Sequence, residues 1–169
     1  MLVCISLSAC AQTKRNTTKR KPVAENREPA TLLQATSQKT LPGRPENEPT
    51  TDYRFVIVWN GDKEPASFFW RGENSWQACE VTRVKNFKPL VIKNNGIPQS
   101  LNYENDDPGN ISYKKGDTLE LYPITMGKHP MPDEISKEKN NVIYYKEVNG
   151  QWMALPVEKI TKLPTIAMP

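Results

Sequence analysis

Hydrophobic and polar positions alternate through most of the chain's second half. Tyr53-Arg54-Phe55-Val56-Ile57-Val58-Trp59 places Tyr53, Phe55, Ile57 and Trp59 on one face, the spacing of a half-buried strand. Asn60-Gly61 then turns the chain. Residues 66–70 and 76–84 read as two further strands around the loop Arg71-Gly72-Glu73-Asn74-Ser75. Residues 89–93 form a short apolar run, and 111–114 with 118–124 flank Lys115-Gly116-Asp117. The clearest hairpin joins 142–148 to 151–155 through Asn149-Gly150, a pair suited to a type I′ turn. Counting back from that turn pairs Lys146 with Met153, Tyr144 with Leu155 and Val142 with Val157, and sets Trp152 opposite Glu147. Helical signal is confined to 132–139, where proline and acids lead and lysines follow, enough for about two turns at most. The fold class predicted is all-β, an antiparallel sandwich of about eight short strands, with a small barrel as the alternative.

The first part of the chain is different. All 14 aromatic residues fall between Tyr53 and Trp152, and residues 11–52 carry prolines at 22, 29, 42, 45 and 49. A segment with so little to bury does not offset the entropy of ordering, so 10–52 is expected to be a disordered tether. On this reading Thr31-Leu32-Leu33 is linker, and a chain starting near Thr51 folds as well as the whole. The organisation expected is a signal remnant at 1–9, a tether at 10–52, a β domain at 53–163 and a tail at 164–169.

The chain's start carries an address. An apolar run ends in Leu7-Ser8-Ala9-Cys10, and this resembles a bacterial lipobox. In the lipoprotein family it resembles, cleavage precedes the cysteine, which then carries the acyl chains. The resemblance therefore implies that Cys10 is lipidated and anchors the protein, with outer-membrane sorting implied by the non-acidic Ala11. Met1 to Ala9 lacks the Lys or Arg of a signal peptide's basic region, so the true start is expected upstream. Lys14, Arg15, Lys19, Arg20 and Lys21 follow the cysteine without an intervening acid, and each can contribute about 1 kcal/mol near anionic headgroups.

Charge narrows the partners. The net charge of +4 resides mostly before Tyr53, and from there on 15 basic residues face 14 acidic ones. A neutral domain lacks the clustered basic footprint that nucleic acid requires, so none is expected as a partner. Cys4 would leave with the signal and Cys10 would be acylated, which leaves Cys79 alone in a strand-like context, as a small hydrophobe rather than a disulfide partner.

Candidate chemistry is sparse. The single histidine, His129, sits in a Gly-Lys-His-Pro loop, which argues against a multi-histidine zinc site or a Ser-His-Asp triad. Residues 102–110 space oxygen ligands around Glu104, Asp106 and Asp107, but Asp107 stands where an EF-hand-like loop needs glycine, so a solvated turn is preferred to a calcium site. Glu73, Glu80 and Glu104 are unspecific candidates for paired carboxylates. No cofactor and no metal are expected, and a hydrolase ranks third among functions.

The aromatics carry the remaining signal. Phe68, Phe69 and Trp70 are consecutive, so whichever face is buried, at least one large ring points away from it. Trp70, Trp76 and Trp152 are the predicted binding residues, each half-buried, with Trp70 and Trp76 facing one another across a hairpin. The function expected is that of a non-catalytic envelope lipoprotein that binds another envelope component as an accessory or structural subunit. A glycan-binding surface lipoprotein is the alternative. In layout alone such a chain is similar to accessory lipoproteins of secretion machines, such as the outer-membrane lipoprotein of type VI secretion.

Overall fold

A computed structural model of the protein describes residues 28–44, 46–65, 67–73, 75–91, 104–105, 112–124, 130–136, 140–147 and 149–169. Cys10, the basic stretch, His129, Asp106 and Asp107 lie outside them.

The described chain is all-β. In order it forms β1 (Ala30–Leu41), β2 (Thr50–Trp59), β3 (Ser67–Arg71), β4 (Trp76–Lys85), β5 (Glu104–Asn105), β6 (Thr118–Pro123), a single helical turn α1 (Asp133–Ser136), β7 (Val142–Lys146), β8 (Trp152–Pro156) and β9 (Thr161–Ala167). The strands make one sheet in the order β8-β7-β3-β4-β6-β2-β1-β9, with β5 paired to β4. All pairs are antiparallel except β1 with β9, which run parallel.

The sheet curls, so that strands far apart in its order meet across the interior. Trp59 of β2 meets Phe68 of β3 edge-on at 6.0 Å and Tyr145 of β7 at 5.5 Å, while Phe55 lies 4.5 Å from Trp70. With Ile57, Leu119, Leu121, Ile143 and Leu155 these rings form the main core. The architecture is thus nearer to the small barrel than to two stacked sheets. Closure stops short of β8 and β1, between which lies a slit of about 460 Å³ lined by Leu32, Leu33, Pro156 and Lys159 among others.

One expectation is corrected: β1 occupies residues 30–41 of the segment 10–52 expected to be a disordered tether. The strand is poor in large apolar residues for a steric reason. Ala30 pairs with Trp59, Ala35 with Phe55 and Ser37 with Tyr53, so each small residue sits beside a large ring on the neighbouring strand. Leu33 is the extra residue of a bulge between Leu32 and Gln34, which leaves it exposed while Leu32 packs on the core. A chain starting at Thr51 would lack this strand, which argues against the expectation that it folds intact.

Three further expectations are corrected. Residues 164–169 are not simply a tail, since β9 runs to Ala167; its Pro164 is tolerated because the strand lies at the sheet edge beside a register shift. Pro89–Val91 and residues 112–114 are not strands. Instead the Leu90 N–H donates to Gln34 Oε1 at 2.7 Å, placing that segment against β1.

The third correction is the hairpin register. Gly150 has φ +88°, and the register Lys146↔Trp152 shows that the loop is not a two-residue type I′ turn. The Gly150 N–H donates to the Glu147 carbonyl, and the Glu147 N–H to Gln151, both at 2.9 Å, which makes a three-residue loop with a bulge. Gln151 N–H also donates to Asn149 Oδ1 at 2.8 Å. Ile143 therefore pairs with Leu155, Tyr145 with Met153 and Lys146 with Trp152. A slip of one residue exchanges the faces, so Tyr145 and Ile143 point inward and Tyr144 and Trp152 outward.

Candidate functional site

A second apolar cluster lies on the outer face of the sheet, over β3, β4, β7 and β8. It consists of buried Ile135, Val142 and Tyr144 with half-buried Phe69, Trp76 and Trp152. Strand parity places each member. Phe68 and Trp70 point inward, so Phe69 points outward, and Trp76 shares that outer face because its register partner is Arg71. Tyr144 and Trp152 reach it from the other side through the corrected register.

The rings interlock. Phe69 and Trp76 stack at 4.9 Å with an interplanar angle of 4°. Trp152 meets Phe69 at 5.6 Å and Trp76 at 6.1 Å, both edge-on, and Tyr144 lies 5.8 Å from Trp76. Lys146 Nζ stands 5.4 Å over the Trp152 ring, a cation–π contact. One flank is closed by α1, whose Ile135 joins the cluster. Arg71 pins the approach to β7: its Nε donates to Asn140 Oδ1 at 3.2 Å, a guanidinium nitrogen donates to the Ile135 carbonyl, and its own carbonyl accepts from the Asn141 N–H at 2.8 Å.

Of the three predicted tryptophans, the structure brings Trp76 and Trp152 together and excludes Trp70. Trp70 is 0% exposed inside the curl, with Tyr53 and Phe55 around it and an Nε1 that has no hydrogen-bond partner among the described residues. It does not face Trp76 either, since its register partner is Gln77. Phe69, Ile135, Val142 and Tyr144 are the members that sequence reasoning missed. The signal that finds Phe69 is the parity of the Phe-Phe-Trp run once one of its members is fixed as inward.

A second concavity opens where β2 ends. A cleft of about 710 Å³ is lined by Pro29, Trp59, Lys63, Lys115, Glu147 and Asn149 among others. Its walls are strapped: the Asn60 and Gly61 N–H groups donate to the Pro29 carbonyl at 2.7 and 3.1 Å, and the Gly116 N–H to the Trp59 carbonyl at 2.7 Å. Lys115 Nζ and Asp62 Oδ1 are 2.9 Å apart but both largely exposed, a pair of small energetic weight. Burial, with Glu147 and Glu28 adding to it, pushes the Tyr145 hydroxyl up to about 12. The Tyr113 hydroxyl is likewise raised, by burial first and Glu64 second.

Neither place assembles a reaction centre among the described residues. Cys79 is a free thiol packed against the main core, and burial raises it well above the ordinary thiol range, the reverse of what a nucleophile needs. Among the described residues no three His, Cys, Asp or Glu side chains gather in a metal-binding group. Glu104 belongs to β5, paired with Lys85, and the other two calcium candidates lie outside the described residues. Glu80 pairs with Tyr122 on β6, away from the 710 Å³ cleft.

Compared with known proteins, the chain matches no family model, no curated protein and no solved structure.

Proposed function

We propose that this protein is a non-catalytic binding module of the cell envelope, anchored in the outer membrane through Cys10, that presents the Phe69, Trp76 and Trp152 face to another envelope component as an accessory or structural subunit. The observation that carries this reading is an aromatic cluster left half-exposed on the outside of a sheet whose inside is already filled. Apolar rings in such a position favour an interface, where tryptophan and tyrosine contribute disproportionately.

The anchor half rests on Leu7-Ser8-Ala9-Cys10. With β1 beginning at Ala30, at most residues 11–29 separate Cys10 from the sheet. A protein partner fits the aromatic face better than a glycan does. Phe69 covers one face of Trp76, Lys146 stands over one face of Trp152, and the two indoles meet at 69°, so they make no coplanar shelf for a sugar ring.

Expression with a complete signal peptide, followed by fractionation, tests the anchor. Wild type should sediment with outer membranes and extract only with detergent, and Cys10→Ser should move it to the soluble fraction. Unchanged sedimentation of Cys10→Ser would refute the anchor.

A further inference from the structure

The 710 Å³ cleft opens at one mouth of the curl, where β2 and β7 end and β3 and β6 begin. Barrel mouths are a common place for small ligands, and the volume lies within the range that such ligands fill. The frame of this mouth is fixed by backbone bonds. Trp59 forms its floor, with the N–H donating to the Asp117 carbonyl at 2.9 Å and the carbonyl accepting from the Gly116 N–H. The loop after β2 lies directly on the indole, because a Cβ on Gly61 would overlap that ring. The buried Nε1 of Trp59 has no hydrogen-bond partner among the described residues, so the floor holds a donor that the fold leaves unanswered.

Charge is divided across the mouth. The 2.9 Å contact of Lys115 Nζ with Asp62 sets the β2–β3 loop, which carries Lys63, beside the turn that precedes β6. Asp62 faces Lys115 and Glu64 accepts from the Tyr113 N–H, so Lys63 has no ion pair among the described residues. β4 and β3 separate β6 from β7 in the sheet, and Glu147 follows the end of β7. Glu147 accepts from Asn149 Nδ2 at 3.2 Å and likewise has no ion pair among the described residues. Glu28, just ahead of β1, adds a second carboxylate on that side, since both acids act on the Tyr145 hydroxyl. One wall is therefore cationic and the other anionic.

We infer that this cleft binds a short peptide with free ends, its ammonium toward Glu147 and its carboxylate toward Lys63 and Lys115. A ligand of one sign meets a repelling wall, and a neutral one leaves the charges of both walls unanswered. A single amino acid would leave most of the volume to water, whereas two or three residues fill more of it and bring backbone donors and acceptors to the Asn60 and Asn149 amides. The site is separate from the outer aromatic face and does not rest on the role proposed for that face.

Trialanine with both ends free, titrated calorimetrically into the full chain, is the probe. It should bind one to one, and N-acetylation or C-amidation should each weaken it by about tenfold or more, the cost of removing one charged partner. Glu147→Gln should weaken free trialanine by about tenfold and leave the N-acetylated peptide unaffected, and Lys63→Gln should do the same at the carboxyl end with the C-amidated peptide. Lys63 is exposed and Glu147 half-buried, so both variants should melt as the wild type does; the end-blocked peptides decide the matter without any variant. Trp76→Ala/Trp152→Ala should bind trialanine as the wild type does, which separates this site from the outer face. Absence of trialanine binding, equal binding of free and end-blocked peptides, or equal losses of free and N-acetylated peptide in Glu147→Gln would overturn the assignment.

Discussion

Two tryptophans six residues apart, Trp70 and Trp76, have opposite situations. Trp70 is enclosed among Tyr53 and Phe55 inside the curl, whereas Trp76 lies outside, stacked on Phe69 and half-exposed. Composition and neighbouring residues do not distinguish them. Parity does: Trp76 is the register partner of Arg71, the residue after Trp70, and consecutive residues of a strand point to opposite faces of the sheet. The inner rings hold the fold together, and the outer rings remain available for contact.

That contrast can be broken from the inside first. The largest effect should come from removing β1, since it covers one wall of the core and carries β9 as well. A chain starting at Thr51 should show no cooperative thermal transition, and one starting at Glu28 should melt as the whole protein does. A cooperative melt from the shorter chain would mean that β1 is dispensable and that the interior closes without it.

Single substitutions sharpen the difference. Trp70→Ala should lose about 3–5 kcal/mol in chemical denaturation, the cost of emptying an enclosed aromatic site. Trp152→Ala, trimmed from a half-exposed position, should lose about 1–2 kcal/mol or less. Equal losses would show that the outer cluster is core in all but position.

The sequence makes some regions legible and hides others for physical reasons. β2 is readable because Phe55, Ile57 and Trp59 are large and alternate with smaller or polar neighbours. β1 is hidden because the interior opposite Trp59 and Phe55 has room only for Ala30 and Ala35, so a genuine core strand has the composition of a linker. β9 is hidden by Pro164, which is admissible only because the strand is an edge. The hairpin's position follows from Asn149-Gly150, but its register does not, since the same pair serves two-residue and three-residue loops and the two choices exchange faces. The site is half legible on the same account. Trp76 and Trp152 are recognisable as aromatics at strand ends, while the exchange of Phe69 for Trp70 depends on which face the sheet closes over.

The claim that the outer face does the binding is tested most directly by comparing capture of envelope components by the full lipidated chain and by its Trp76→Ala/Trp152→Ala variant, each cross-linked in intact cells before detergent extraction. The account predicts a specific adduct with the wild type that falls by about tenfold or more in the variant, with both proteins melting cooperatively. An undiminished adduct from a folded variant would contradict it.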